Sequence, residues 1–276
     1  MIDSENREQP SLRGQDLQRI AEALKAAAEI LRGCSPQTVR AELKGNNEPV
    51  TELDRAVNDR LRELLPREDE GWLSEETVDD LSRLQRRRVW VVDPLDGTRE
   101  FLAGIPEWCV SIALVEDGRT VAGGICNPAR EEFFLGSRET GVTLNGEPAR
   151  LRPCRSLTEA VVLASRSETA RGEWASFQNA PFHVWAMGSV AYKLACVAVG
   201  RADATWTRRP KNEWDVAAGV ALVLAAGGTV ATQPSPLLFN RRVPRFQSVL
   251  ALGPGARQLF AGFLADWNLQ PEGSNR

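Results

Sequence analysis

An apolar run, Val89-Trp90-Val91-Val92, leads straight into Asp93-Pro94-Leu95-Asp96-Gly97-Thr98. The run predicts a buried strand. The segment from Asp93 to Thr98 predicts a stiff, tight turn at the strand's end. Pro94 fixes one backbone angle and removes a donor. Gly97 lets the main chain approach a neighbour closely. Asp-Pro and Asp-Gly are ordinary turn dipeptides, so either alone reads as an acidic surface turn. The whole segment behind an apolar strand, with acidic partners elsewhere in the chain, points further. Two carboxylates three residues apart are oxygen ligands of the kind a hard divalent cation such as Mg²⁺ takes, and such ions share the oxygens of substrate phosphates. Thr98 adds a hydroxyl and a backbone N–H. If a helix starts here, its free N–H groups form an anion site.

The chain has 276 residues, of which 42% are hydrophobic, enough to bury the core of one large domain or two small ones. A net charge of −3 argues against a nucleic-acid polymer as partner, because clustered positive charge dominates that affinity. A small anionic substrate remains compatible, since metals and local arginines can supply positive charge. The cysteines, Cys34, Cys109, Cys126, Cys154 and Cys196, are odd in number and show no C-x-x-C spacing. Reduced thiols in a cytoplasmic protein are the expectation. Residues 1–13 are polar with no apolar h-region, which is unlike a secretory signal, and no apolar run approaches membrane-spanning length. His183 is the single histidine, which excludes a His-rich zinc site. It lies in a predicted strand, where a packed or exposed role is expected.

Along the chain, residues 14–33 read as an amphipathic helix and 51–65 as a second, capped by Thr51 with Asp54 three positions on. Strands are predicted at 89–93, 108–116, 120–127 and 131–136, with turns at Asp117-Gly118 and Asn145-Gly146. Beyond about residue 155 strands and helices alternate. Strands are expected at 161–165, 182–186, 202–206, 229–232 and 248–252. Helices are expected at 167–178, 189–199, 214–226 and 255–267, the third stopped by Gly227-Gly228. The pattern predicts an α+β half, 1–155, carrying most of the acidic motif, packed on an α/β half, 156–276.

Other acidic places fall into order with the first. Glu75-Glu76 follows Gly71-Trp72-Leu73-Ser74, and Trp214-Asp215 opens a late apolar helix. Upstream stands Val50-Thr51-Glu52-Leu53-Asp54. Taken singly, Glu75 reads as a solvated loop acid and Asp215 as a helix-dipole partner. Together the ordered motifs resemble the inositol monophosphatase-like superfamily of metal-dependent phosphatases, over about residues 14 to 267. The resemblance implies a layered αβαβα sugar-phosphatase fold. It implies that Glu75, Asp93 and the Leu95 carbonyl hold one Mg²⁺, that Asp93, Asp96 and Asp215 hold a second, and that a third, weaker ion sits near Glu75. It implies that the N–H groups of Gly97 and Thr98 bind phosphate, while Asp54 and Thr98, with Glu75, orient and deprotonate the attacking water. Independent physics agrees, because two unit charges 4 Å apart repel by roughly 4 kcal/mol at an effective dielectric of about 20. Clustered carboxylates therefore want a cation.

The reaction implied is hydrolysis of a phosphate monoester by metal-activated water. The chain is most like bacterial 3'(2'),5'-bisphosphate nucleotidases, which act on molecules such as 3'-phosphoadenosine 5'-phosphate. Ser165-Arg166-Ser167-Glu168 is similar to their Ser-Arg-Ser-His segment, with Glu168 in place of histidine; it also reads as a strand end with a helix cap. Inositol monophosphatases usually carry a glutamate before the Trp-Asp pair, whereas Ala204–Asn212 here has none and instead carries Arg208, Arg209 and Lys211. Cations there suit a second phosphate, and otherwise form a solvated loop. Ser165, Arg166, Arg208 and Arg209 are thus the expected substrate-binding residues. Lys193 is expected on the surface, Arg86-Arg87-Arg88 as solvated edge charge, and Trp206 as a residue that could stack on a base. Residues 41–50, with Lys44 and Glu48, read as a lid. The alternative substrate is inositol 1-phosphate or another sugar phosphate. A catalytically silent member, binding metal or nucleotide as a sensor, would require a broken core, and the acidic set is complete. Dimers are common among relatives, so a homodimer is one expected state, with no membrane partner.

Overall fold

The structure, a computed structural model, describes residues 11–34, 36, 39–43, 49–151, 154–233 and 235–262. Helix α1 (Leu12–Leu31) precedes the short strands β1 (Ala41–Leu43) and β2 (Pro49–Thr51), helix α2 (Glu52–Leu64) and strand β3 (Glu70–Ser74). Strand β4 (Arg88–Asp96) runs into the short helix α3 (Thr98–Leu102). The strands β5 (Cys109–Glu116), β6 (Arg119–Asn127), β7 (Glu132–Ser137), β8 (Gly141–Leu144) and β9 (Glu147–Pro148) come next. Then come β10 (Val161–Ser165), α4 (Arg166–Ala170), β11 (His183–Met187), α5 (Val190–Ala198), β12 (Ala204–Trp206) and β13 (Lys211–Asn212). Helix α6 (Glu213–Ala225), strands β14 (Thr229–Gln233), β15 (Arg245–Phe246) and β16 (Ser248–Leu252), and helix α7 (Ala256–Leu259) complete the described chain.

Five layers result. Strands β3 to β9 form a seven-stranded sheet in sequential order, parallel only between β3 and β4. A five-stranded sheet has the order β11-β10-β12-β16-β14. Apolar alternation along β4 sends Trp90 and Val92 to a core shared with α1 and α2, and Val89 and Val91 to a core shared with α5 and α6. That second core also takes Leu163 of β10 and Ala251 of β16, so α5 and α6 lie between the two sheets. The far face of the five-stranded sheet is covered by Trp174, Phe182 and Phe260. The layered αβαβα fold implied by the motifs is the fold found.

Two neighbouring glycines make the first three layers possible. A Cβ on Gly123 would lie 2.7 Å from the Ala218 carbonyl of α6, and one on Gly124 would lie 2.4 Å from Ile20 Cγ2 of α1. Consecutive strand residues face opposite sides, so one dipeptide admits a helix to each face of β6.

Several expectations are corrected. The helix expected at 167–178 ends at Ala170, because Gly172 takes a left-handed φ of 76° and turns the chain. The helix expected at 255–267 is found over Ala256–Leu259, is interrupted at Phe260 and is helical again at 261–262, and the rest of that expectation lies outside the described residues. Arg88 is not solvated edge charge: its guanidinium is held by Asp16, Glu70 and Glu116. Trp206 is only 4% exposed and stacks on Trp174 at 4.9 Å, so it is core rather than a base platform. Lys44 and Glu48 lie outside the described residues.

Candidate active site

The acidic residues meet at one end of the seven-stranded sheet. Parallel pairing of β3 with β4 sets Ser74 beside Val92, so the next residues, Glu75 and Asp93, emerge side by side. The Glu75 N–H still donates to the Val92 carbonyl at 3.4 Å. Past Asp93 the pairing with β5 slips, with Asp93 opposite Ser111 but Asp96 opposite Cys109. Pro94 has no N–H to give a ladder, which suits it to this bulge. Leu95 N–H turns back onto Asp93 Oδ1 at 3.0 Å. Asp215 arrives from the first turn of α6, where its Oδ2 accepts the Asn212 N–H at 2.9 Å. Carboxylate oxygens of Glu75, Asp93 and Asp215 all lie within 4.8 Å of one another.

Proton affinities in this cluster are raised by burial, reinforced by repulsion among its members. Burial, then the charges of Glu75, Asp96 and Asp215, push the Asp93 carboxyl well above the usual carboxylate range. Burial and Glu75 push Asp215 up to about 8. Three hard oxygen donors, mutually destabilised and converging on one point, are the donor set that Mg²⁺ takes. The residues present therefore fit such an ion.

Asp96 stands just outside this group. Its Oδ2 accepts from Ser189 Oγ at 2.6 Å and from Ala191 N–H at 2.7 Å, at the start of α5. The same Ser189 hydroxyl caps α5 by accepting from Tyr192 N–H at 3.0 Å. Ser189 has a φ of 48°, an uncommon backbone for a residue other than glycine. The Lys193 ammonium donates to the carbonyls of Met187 at 3.3 Å and Ser189 at 3.1 Å and so braces that turn.

Gly97 and Thr98 come next in the chain. Gly97 has a φ of 96°, and a Cβ there would lie 3.0 Å from the Glu107 carbonyl, so the position requires glycine. Thr98 Oγ1 is 3.0 Å from the Leu95 carbonyl and 3.3 Å from Asp54 Oδ1. Asp54 is buried, and its Oδ2 is taken by Thr51 N–H at 2.8 Å and Thr51 Oγ1 at 2.5 Å. The capping box of α2 thus aims Oδ1 at Thr98.

Gly97, Thr98 and Ser189 line a cavity of about 360 Å³, with Asp54 set behind Thr98 rather than in the wall. Glu75, Asp93, Asp96 and Asp215 line it on the acidic side, and Arg171, Lys193, Arg209 and Lys211 also line it. Of the expected substrate-binding residues, Ser165 and Arg209 reach the wall, and Arg166 and Arg208 are placed elsewhere. Arg166 is paired with Glu107 at 2.5 Å. The Arg208 guanidinium lies over the Phe177 ring at 5.7 Å. Lys193 is not on the surface: it is 3% exposed, and burial lowers its pKa to about 8. A lysine inside an apolar helix headed by Gly-Ser is the signal for it. Lys211, the third cation of the stretch expected to suit a second phosphate, reaches the wall beside Arg209, whereas Arg171 is not among the expected binding residues and only the fold brings it here.

The sequence matches the Inositol monophosphatase family over residues 15–253. An inositol-1-monophosphatase of Rhizobium meliloti is 35% identical over 201 residues, covering 70% of this chain and 75% of that protein. Among solved structures, the extragenic suppressor protein suhB of Bartonella henselae superposes with a TM-score of 0.74 at 29% identity, over 88% of this chain and 95% of that one. CysQ of Bacteroides thetaiotaomicron, described as a bacterial member of the same family, gives 0.71 at 26% identity, over 87% and 97%. The ordered acidic motifs, the layered fold and a match running from α1 to the end of β16 agree: the chain belongs to the inositol monophosphatase family of phosphatases.

Proposed function

We propose that the chain is a Mg²⁺-dependent phosphomonoesterase that removes the 3'-phosphate from 3'(2'),5'-bisphosphate nucleotides such as 3'-phosphoadenosine 5'-phosphate. The observation that carries this reading is one cavity lined both by an acidic cluster and by Lys193, Arg209 and Lys211. A monoester with one phosphate needs only the first. A second phosphate adds an anionic ligand to the wall that carries Lys211 and Arg209, the latter 61% exposed beside Glu173. The nearby Glu213 offers nothing to sugar hydroxyls, because its buried carboxylate accepts from Asn240 N–H at 2.7 Å and Arg241 N–H at 3.1 Å.

Glu75, Asp93 and Asp215, with Asp96 and the Leu95 carbonyl, would hold the metal, in two to three sites. When bound, Mg²⁺ supplies Lewis-acid polarisation of the phosphoryl group and acidifies water. The chain's own residues do the rest. The N–H groups of Gly97 and Thr98 face the transferred phosphate. Thr98 has one hydroxyl proton to donate and lone pairs to accept with. With that proton on the Leu95 carbonyl or on Asp54, the oxygen accepts from a water and orients it. Asp54 Oδ1, turned away from the capping bonds on Oδ2, is the proton acceptor behind Thr98. Water then attacks in line as the bond between phosphorus and the 3'-oxygen breaks, the water proton passing by way of Thr98 to Asp54 and the leaving oxygen taking a proton from solvent, with no covalent intermediate on the protein.

A second reading, hydrolysis of inositol 1-phosphate, is favoured by the name of the Rhizobium meliloti relative. Phosphate release with Mg²⁺ from 3'-phosphoadenosine 5'-phosphate, inositol 1-phosphate and fructose 1,6-bisphosphate decides between them. The nucleotide should give the highest kcat/KM. A higher value for inositol 1-phosphate would replace the proposal by the second reading.

A further inference from the structure

Glu168 stands where the similar nucleotidase segment has histidine, and neither metal binding nor water activation makes use of it. Its side chain is 1% exposed. A buried carboxylate must be hydrogen-bonded, and this one accepts from two sides. Arg208 N–H donates to Oε1 at 3.1 Å and to Oε2 at 3.3 Å. The Trp174 indole N–H donates to Oε2 at 3.1 Å. Arg208 begins the basic stretch between β12 and β13. That stretch carries Arg209 and Lys211 to the cavity wall. Its other ties to the α4 region are the Arg208 guanidinium over the Phe177 ring at 5.7 Å and Arg209 donating to Glu173 at 2.8 and 3.0 Å, in which Arg209 is 61% exposed. An exposed pair of that kind holds little. The buried bond to the main chain is the firm one. Trp174, held by the same carboxylate, stacks on Trp206 at the end of β12. The α4 segment and the basic stretch are therefore laced through one side chain.

We propose that Glu168 is a positioning residue for substrate recognition: its carboxylate fixes the main chain at Arg208, and through it the place of Arg209 and Lys211 on the cavity wall. The inference rests on the bisphosphate reading, because a second phosphate is what that wall receives.

Glu168→Gln keeps size and one acceptor oxygen, and turns an N–H₂ toward donors that held the second. Steady-state kinetics of the full chain with Mg²⁺, on 3'-phosphoadenosine 5'-phosphate and on p-nitrophenyl phosphate, reads the effect. KM for the bisphosphate should rise at least about tenfold, the equivalent of about 1.4 kcal/mol. KM for the single-phosphate ester should move less than about threefold. Loss of both activities together marks a folding failure, and Glu168→Asp, still anionic but shorter, then carries the same comparison, with the same split expected. Equal KM changes on both substrates, or none, overturn the role of Glu168 while leaving the bisphosphate reading intact. A wild-type enzyme that does not prefer the bisphosphate overturns that reading and the inference with it.

Discussion

Thr98 shares its hydroxyl between the Leu95 carbonyl and Asp54, a small arrangement with a large expected effect. Thr98→Ala removes the group that orients water and leaves the acidic cluster untouched. We expect kcat to fall by about 10²-fold, within the range that positioned acid–base groups contribute, with KM little changed. Single-turnover phosphate release measures this, and a variant with wild-type kcat would remove Thr98 from the chemistry. At this scale the sequence speaks clearly wherever the geometry is local. Asp93 to Thr98 are consecutive in the chain, and the Thr51–Asp54 capping box spans a single helical turn. Lys193 and Arg166 are illegible for the opposite reason. Whether a cation faces solvent, a pocket or a carboxylate such as Glu107 depends on elements distant in the chain.

Elements form where pattern and turn chemistry agree. The Asp117-Gly118 and Asn145-Gly146 turns have positive φ at both residues, as tight hairpins need. Strand β3 escapes a reading by pattern because Glu-Gly-Trp-Leu-Ser has neither clean alternation nor length, and its strand state comes from parallel pairing with β4. Yet β3 is what delivers Glu75 beside Asp93. The close seating of α1 on β6 is also an element property. A methyl on Gly124 would stand 2.4 Å from Ile20 and 2.8 Å from Leu24. Gly124→Ala should destabilise the fold by about 1–3 kcal/mol, as overpacking does. The urea unfolding midpoint reads it, and an unshifted midpoint would show that α1 is not seated closely on β6.

At the scale of the whole molecule, the first helical layer is joined to the seven-stranded sheet at one edge by charge. Glu70 binds Arg19, Arg88 and the Trp90 indole, and Asp16 completes the set with Arg88. Burial works to raise the Glu70 pKa, but the bonds from Arg19 and Trp90 and the Arg19 charge outweigh it, and the value falls from 4.5 to about 2. A carboxylate depressed by folding contributes stability that is fully present above pH 4.5 and is lost as pH falls toward 2. Glu70→Gln should therefore lower the unfolding midpoint at pH 7 and close the gap to wild type as pH falls from about 4.5 to about 2. A gap independent of pH would assign the loss to packing instead. The layered order is legible through the ordered motifs, whereas this charge network is not, since its members are spread from residue 16 to residue 116.

The central claim is that Glu75, Asp93 and Asp215 form the metal centre of a phosphatase, and Asp93 is the most buried of the three. Phosphate release by Asp93→Asn, in Mg²⁺ and beside wild type of equal thermal stability, tests it most directly. The account predicts a loss of about 10²- to 10³-fold in kcat, the order found on removing a group that stabilises charge in the transition state. Turnover by Asp93→Asn at the wild-type rate would contradict the assignment of the active site.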